Sequence, residues 1–371
     1  MEIIGIIAEY NPFHNGHIYH IEKIKEMYPN SILILILNGY FLERGQISIE
    51  SVSSKTKLAL EHNIDIVIQL PFIFGTNSAD IFSDASIELL NELGATKIIF
   101  GSESNNIKKL KKLAKKQLEN EYNDEVKKYL NLGINYPTAL NKALNTNINT
   151  PNDLLGLSYI KTILKNKYNI EPITIKRTSN YHDIYSNEQI ISASNIREKI
   201  NNNIDISNYV PNIEYINEID HNLFFNLLKY KIINDDKLNS YLTVDEGIDN
   251  KLKKVINECD TLEELIQKIK TKRYTYNRIN RMFIHILIGL KKTDKYNLLK
   301  NEYIRILGFN NIGKKYIKNI KNKTNIPIVT SLKKINSIIK DYEIKAYEIY
   351  NLISEENILE FETKNKPIIK Q

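Results

Sequence analysis

Asn11-Pro12-Phe13-His14-Asn15-Gly16-His17 is the stretch on which the fold of this chain turns. It follows an apolar run, Ile3–Ala8, and opens a segment of helical spacing that reaches Met27. A buried-type strand that runs through two histidines and a glycine into a helix sets polar groups at the carboxyl edge of a parallel sheet, where α/β proteins bind nucleotides. The helix amino terminus adds unpaired N–H groups and a positive dipole end, both suited to phosphate. Gly16 permits close backbone approach. His14 and His17 can donate hydrogen bonds to phosphoryl oxygens as charge develops on them. His14, His17 and His20 recur at intervals of three, a spacing compatible with a metal, but no cysteine or obvious carboxylate joins them, so no metal site is expected.

Outward from this motif the chain alternates. Short apolar runs at Glu2–Ala8, Ile32–Asn38, Ile64–Leu70, Lys97–Gly101 and Pro172–Arg177 read as strands buried on both faces. Helical stretches separate them at Asn15–Met27, Val52–His62 and Ala79–Leu93, and a basic run from Ile107 to Leu130 reads as an exposed helical insertion. This order predicts an α/β fold with a Rossmann-like open parallel sheet. After Lys199 the pattern becomes helical with few strand signals, with candidate helices at Leu223–Ile233, Leu262–Lys270, Asn277–Leu290 and Ser337–Leu352. The expected division is a nucleotide-binding domain over 1–205 and a mainly helical, basic domain over 206–371.

Charge supports that division. Of 371 residues, 26% are charged and 42% hydrophobic, as in a globular protein. The net charge of +7 is not evenly spread: residues 1–200 hold 22 basic and 22 acidic side chains, while 251–350 hold 23 basic and 9 acidic. A local excess of that size points to a polyanionic partner for the carboxyl-terminal part. Lys272, Arg273, Arg278 and Arg281, interleaved with Tyr274 and Tyr276, have the makings of an RNA surface: cations for phosphates, rings for unpaired bases. Lys314 and Lys315, on a second basic helical face that Lys318 and Lys321 continue, are expected to contact the same RNA. One cysteine, Cys259, excludes an internal disulfide and fits a reducing compartment. No run approaches transmembrane length, and the amino terminus lacks the basic flank of a signal peptide, so a cytoplasmic location is expected.

Further polar clusters fall at predicted strand ends. Asn38-Gly39 leads into Phe41, Glu43, Arg44, Gly45 and Gln46, which reads either as a turn or as a loop that recognises an anion. Gly101 closes the fourth strand, and Thr150-Pro151-Asn152-Asp153 reads as a helix start with Thr150 as N-cap. Lys176 and Arg177 place two cations at a sheet edge. In Ile191-Ser192-Ala193-Ser194-Asn195-Ile196-Arg197, hydroxyls at a helix start and an arginine one turn on make a phosphate cradle. The first motif resembles the HxGH signature of the nucleotidyltransferase superfamily, and the Ser192–Arg197 run resembles that superfamily's second, triphosphate-binding signature. The implied chemistry is in-line attack on the α-phosphate of ATP, with His14 and His17 serving the α-phosphate and leaving oxygens and Ser194 and Arg197 holding the β- and γ-phosphates. Mg²⁺ is expected to accompany ATP, without a dedicated protein cage.

A closer resemblance covers nearly the whole chain. Gly5–His17, Asn38–Gln46, Pro151–Gly156, Lys176-Arg177, Ser192–Arg197, Lys272–Ile279, Leu307–Asn310 and Ile326–Thr330 together resemble the bacterial tRNA(Met) cytidine acetate ligase family. That resemblance implies a ligase that converts acetate and ATP to acetyl-adenylate and pyrophosphate, then passes the acetyl group to N4 of the wobble cytidine (position 34) of elongator tRNA(Met). It also implies ATP contacts from Ile7, Ala8, Glu9, Tyr10, Asn11, Pro12, Phe13, His14, Asn15, Gly16, His17, Ile18, Tyr19 and His20, and from Gly101, Asn152 and Arg177. No obligate protein partner is expected. Two other readings fit parts of the pattern: a small-molecule adenylyltransferase, which needs no large basic domain, and an RNA-binding protein that senses ATP through a degenerate site.

Overall fold

The structure, a computed structural model, describes residues 1–146, 148, 150–177, 190–297, 300–354, 357–364 and 366–371. Apolar, β-branched runs form the expected strands: β1 (Ile3–Ala8), β2 (Ile32–Asn38), β3 (Ile66–Leu70), β4 (Lys97–Ser102) and β5 (Glu171–Lys176). They pair in parallel in the order β5-β4-β1-β2-β3. β2 is buried along its whole length, as an interior strand covered on both faces must be. The order reverses at β1, whose neighbours are β2 on one side and β4 on the other, so a crevice opens where the crossovers diverge. β3 starts two residues later than the apolar run suggests, because Ile64 belongs to the preceding turn and donates to Ala59 O. Asp65 is not a ladder residue either: its carboxylate accepts from Leu33 N and Lys25 Nζ.

The helices Asn15–Met27, Val52–Glu61 and Ala79–Glu92 match expectation. The basic run is two helices, not one, Ile107–Lys116 and Asn120–Asn131. Between them Leu118 and Glu119 donate three residues back, which tightens and ends the first helix. Its apolar positions Leu110 and Ala114 are buried in the sheet-side core.

The larger departure lies at the carboxyl end. The helices His221–Asn234, Ile248–Val255, Leu262–Ile269 and Tyr276–Ile288 build a second core around Leu228, Leu252, Ile266, Met282 and Phe283. The chain then returns to the sheet. β6 (Ile304–Phe309) lies antiparallel on β3, and β7 (Ile328–Val329) and β8 (Ile368–Ile369) run parallel along the other side of β6. The part after Lys199 is mainly helical, as expected, but it also adds these three short strands to the sheet. Arg305 and Gly308 interrupt the apolar run of β6, and that masked it in the sequence. The helix Tyr276–Ile288 is the joint between the two cores: Ile279 and Phe283 face the helical one, Ile284 and Ile288 the sheet.

Candidate active site

A cavity of about 250 Å³ opens at the carboxyl ends of β1 and β4, at the point where strand order reverses. His14 and His17 line it. His14 is the N-cap of the helix Asn15–Met27, and its Nδ1 accepts from Gly16 N at 3.0 Å. In return His14 N donates to His17 Nδ1 at 3.2 Å. The two imidazoles thus form a capping box of the kind usually made by Ser/Thr and Glu. Because both Nδ1 atoms accept, the proton of each neutral ring sits on Nε2. Burial, and then the nearby Arg177 and Arg197 guanidinium groups, push the His14 pKa down to about 3. Burial and the neighbouring His14 hold His17 well below the usual histidine range. At neutral pH the pair therefore offers two N–H donors rather than two cations. The rings lie 3.8 Å apart between centroids. A Cβ at Gly16 would sit 2.7 Å from His14 Cε1, so only glycine admits this ring position.

The segment before the histidines is held from three sides. Tyr10 takes a left-handed φ of 49° and packs edge-on against Phe13 at 4.7 Å. Asn11 accepts from Ile49 N at 2.9 Å, and Phe13 N donates to the buried Glu50 carboxylate at 2.7 Å. Arg197 Nη1 donates to Asn11 O at 2.5 Å while its Nη2 reaches Ser194 Oγ at 3.3 Å, which ties the second motif to the first. Ser192 caps the helix Ala193–Asn201 through Asn195 N at 3.2 Å. Ser192, Ser194 and Arg197 all line the cavity.

Of the expected nucleotide contacts, Ile7, Ala8, Glu9, Tyr10, Asn11, His14, Gly16, His17, Tyr19, His20, Gly101, Asn152, Lys176, Arg177, Ser194 and Arg197 come together around the cavity. Pro12, Phe13, Asn15 and Ile18 are not in its wall. Phe13 is fully buried beneath it, and Asn15 turns to the segment beyond the second motif, donating to Tyr209 O and Asn208 O. Asn152 donates to the Glu103 carboxylate at 2.6 Å, and that carboxylate also takes Asp153 N at 3.1 Å, so Glu103 neutralises the helix start. Thr150 occupies the N-cap position as expected, but its hydroxyl donates to Asp153 Oδ2 and, among the described residues, accepts no backbone N–H.

Sequence reasoning missed the cavity's apolar wall: Phe82, Phe100, Leu155 and Tyr159. Asn152, Leu155 and Tyr159 follow an i, i+3, i+7 spacing along the helix Pro151–Asn166, and that periodicity is a signal that would have placed them on one face. The loop after β2 is a wall and not merely a turn, since Leu42, Glu43, Arg44 and Gln46 border the same space. Glu9 Oε1 accepts from Glu43 N at 2.7 Å and Asn38 Nδ2 at 2.8 Å. Among the described residues no group of three or more His, Cys, Asp or Glu side chains is placed to hold a metal ion.

The basic residues divide. Lys272 and Arg273 are exposed, Arg273 beside Glu246 at 3.2 Å. Arg278 is partly exposed, lies over the Tyr274 ring at 4.1 Å and reaches Asp245 at 3.5 Å. Tyr274 itself is 3% exposed, with its hydroxyl donating to Asp245 O, so it is not a free stacking surface. Arg281 turns inward and donates to Glu43 O at 3.0 Å; it braces the cavity loop and does not face solvent with its neighbours. Lys314 and Lys315 are exposed, but their helix, Asn311–Ile320, packs where Asp65 and Leu93 precede β3 and β4. That is the amino edge of the sheet, opposite the cavity.

A model of the HIGH Nucleotidyl Transferase family matches residues 1–366. The tRNA(Met) cytidine acetate ligase of Caldicellulosiruptor saccharolyticus is 38% identical, over 99% of this chain and 98% of its own. That of Clostridium novyi is 36% identical over 99% of both. The crystal structure of Thermotoga maritima TmcAL bound with alpha-thio ATP has a TM-score of 0.87 and 26% identity, covering 100% of this chain and 99% of that one; the apo form reaches 0.91.

Proposed function

From the premise that the chain belongs to the tRNA(Met) cytidine acetate ligase family of HIGH nucleotidyl transferases, we propose that it joins acetate to elongator tRNA(Met) at the expense of ATP. An acetate oxygen attacks the α-phosphorus, the bond to the bridging oxygen breaks, and pyrophosphate leaves. N4 of the wobble cytidine then attacks the acetyl carbonyl, and AMP leaves. The single observation that carries this reading is the reciprocal histidine cap. It presents two neutral imidazoles, each with Nε2–H as its donor, in a cavity that Arg177 and Arg197 also border.

Catalysis here is positioning and charge stabilisation, with no covalent enzyme intermediate. Neutral donors suit the task, since they strengthen toward oxygens that gain charge without trapping the ground state as fixed cations would. Arg197, Ser194 and the positive amino-terminal end of the helix Ala193–Asn201 would hold the β- and γ-phosphates, with Arg177 and Lys176 also bordering the cavity. Asn152 and Gly101 would border the nucleoside. We assign Mg²⁺ to the triphosphate and its waters, because no described cluster of side chains is placed to cage it. Lys272, Arg273 and Arg278 would meet RNA phosphates, and the reaction belongs in the cytoplasm with its tRNA. We keep 1–205 as the ATP-binding part and 206–371 as the RNA-binding part, the latter lending β6 to the sheet.

The test is acetate-dependent pyrophosphate release with and without elongator tRNA(Met), followed by mass analysis of the tRNA nucleosides. N4-acetylcytidine appearing with release supports the reading. Release without it would move the proposal to another acceptor, and no release under any substrate would sink it.

A further inference from the structure

Residues 1–200 are neutral in sum, yet the helix Ile107–Lys116 carries six lysines and no acidic residue in ten positions. Lys108, Lys109, Lys111, Lys112 and Lys115 are exposed. Electrostatics disfavour this arrangement in an isolated protein. Lys108 and Lys109 stand in the first turn, where the helix dipole repels cations. Lys108 with Lys112, and Lys111 with Lys115, set like charges on adjacent turns. In the following helix Lys127 pairs with Asp124 at 3.5 Å, whereas among the described residues these lysines form no ion pair.

Position is the second, independent observation. The helix begins just beyond the carboxyl end of β4: Asn105 N donates to Ser102 Oγ at 2.8 Å, and Asn106 caps the helix through Lys109 N at 3.0 Å. The intervening Glu103 holds Asn152 in the cavity wall. Its first turn, with Lys108 and Lys109, therefore stands at the cavity edge of the sheet on the β4–β5 side, and the row of cations runs back from there, with Lys111, Lys112 and Lys115 flanking the start of β5. Lys272, Arg273 and Arg278 stand at the same edge on the β2 side, tied there by Arg281 and the loop after β2. Lys314 and Lys315 are at the opposite edge.

We propose that the helix Ile107–Lys116 is a second RNA-contacting arm, and that the cavity lies between it and the 272–278 arm. The inference rests on the tRNA reading above. A nucleotide presented from within a chain leaves the cavity mouth in two directions, one strand on each side, and each strand then meets its own row of cations. Phosphate contacts of this kind add affinity without reading sequence.

The experiment compares the wild-type chain with Lys108→Glu/Lys109→Glu/Lys112→Glu and with Lys314→Glu/Lys315→Glu as control, at matched thermal stability. Affinity for unmodified elongator tRNA(Met) is measured across a salt series, and ATP affinity alongside. The triple variant is expected to bind tRNA about tenfold or more weakly near 0.1 M salt, with a salt slope shallower by about 0.7 for each phosphate it no longer neutralises. The control should stay within about twofold, and ATP affinity should be unchanged in both. Undiminished tRNA affinity in the triple variant, while the wild type acetylates tRNA, overturns the arm alone. Equal weakening in the control overturns its placement. Anionic phosphatidylglycerol vesicles captured by wild type and released by the triple variant, with tRNA binding intact, would overturn it in favour of a lipid surface. A wild-type chain that neither binds nor acetylates tRNA overturns the parent reading and the arm together.

Discussion

His14 does two things that a single substitution can separate. Its Nδ1 caps the helix, and its ring supplies an Nε2–H to the cavity. Asparagine is a good N-cap residue but lacks that N–H. His14→Asn is therefore expected to keep the thermal midpoint within a few degrees while lowering acetate-dependent pyrophosphate release by about 100-fold or more. His14→Ala should lose the activity and also about 0.5–2 kcal/mol of stability in denaturant melts. Unaltered turnover in the asparagine variant would mean that the ring is only a cap. The buried histidines also set an acid limit. Burial holds His14 near 3 and His20 near 4, below the ordinary 6.5. As pH falls below about 6.5 the unfolded chain takes up protons that the native rings refuse, so native stability falls until the lower pKa values are reached. His20, whose Nε2 is buried without a partner among the described residues, is the cleaner probe. In His20→Gln the loss of melting temperature between pH 6.5 and 4 should be shallower than in wild type, and an identical slope would remove His20 from the account.

Among the elements, the contact between the loop after β2 and the helix Tyr276–Ile288 ties the two cores together beside the cavity. Gly45 has φ +72°, and a Cβ there would lie 2.3 Å from Arg281 N. Gly45→Ala should raise the KM for ATP and lower the melting temperature together, because loop and helix must part; a change in neither would show the contact to be slack. On the far side of β3, Arg305 reaches Gln69 Oε1, Tyr347 Oη and Glu362, which also accepts from Tyr40 Oη. Truncating Glu362 to Ala removes one of the two carboxylates that act on the buried Arg305 guanidinium and leaves Glu343 as the other, at a cost of up to about 3–5 kcal/mol in denaturant titration. These pairings explain what the sequence could and could not say. β1 to β5 and the helix Asn15–Met27 were legible because apolar runs and a helix-start motif are local. Glu50 under Phe13, Glu43 on Arg281 and β6 on β3 were not, since each joins residues 37 or more apart, and no local period records such a meeting. Arg281 was misjudged for that reason: its neighbours Lys272, Arg273 and Arg278 reach the surface, and only the tertiary contact to Glu43 draws it inward.

At the scale of the molecule, charge and topology run in opposite directions along the chain. The described residues that line the reactive cavity end at Arg197, while the strand that covers the edge of β3, β6, comes only with Ile304–Phe309. A fragment of residues 1–205 is expected to keep its parallel strands but to expose the edge of β3, at Ile66, Val67 and Ile68, and to elute as larger species than the full chain in size exclusion. A discrete fragment of full-chain behaviour would show that β6 is dispensable. The same antiparallel return has a consequence on the ribosome. At about 5–20 residues per second, an apolar strand edge emerges and waits on the order of ten seconds or more for its neighbour to be translated. The nascent chain thus carries a sticky seam through most of its synthesis. Whatever shields that seam, a chaperone or the early helical body itself, decides the yield of active molecules before any substrate is met.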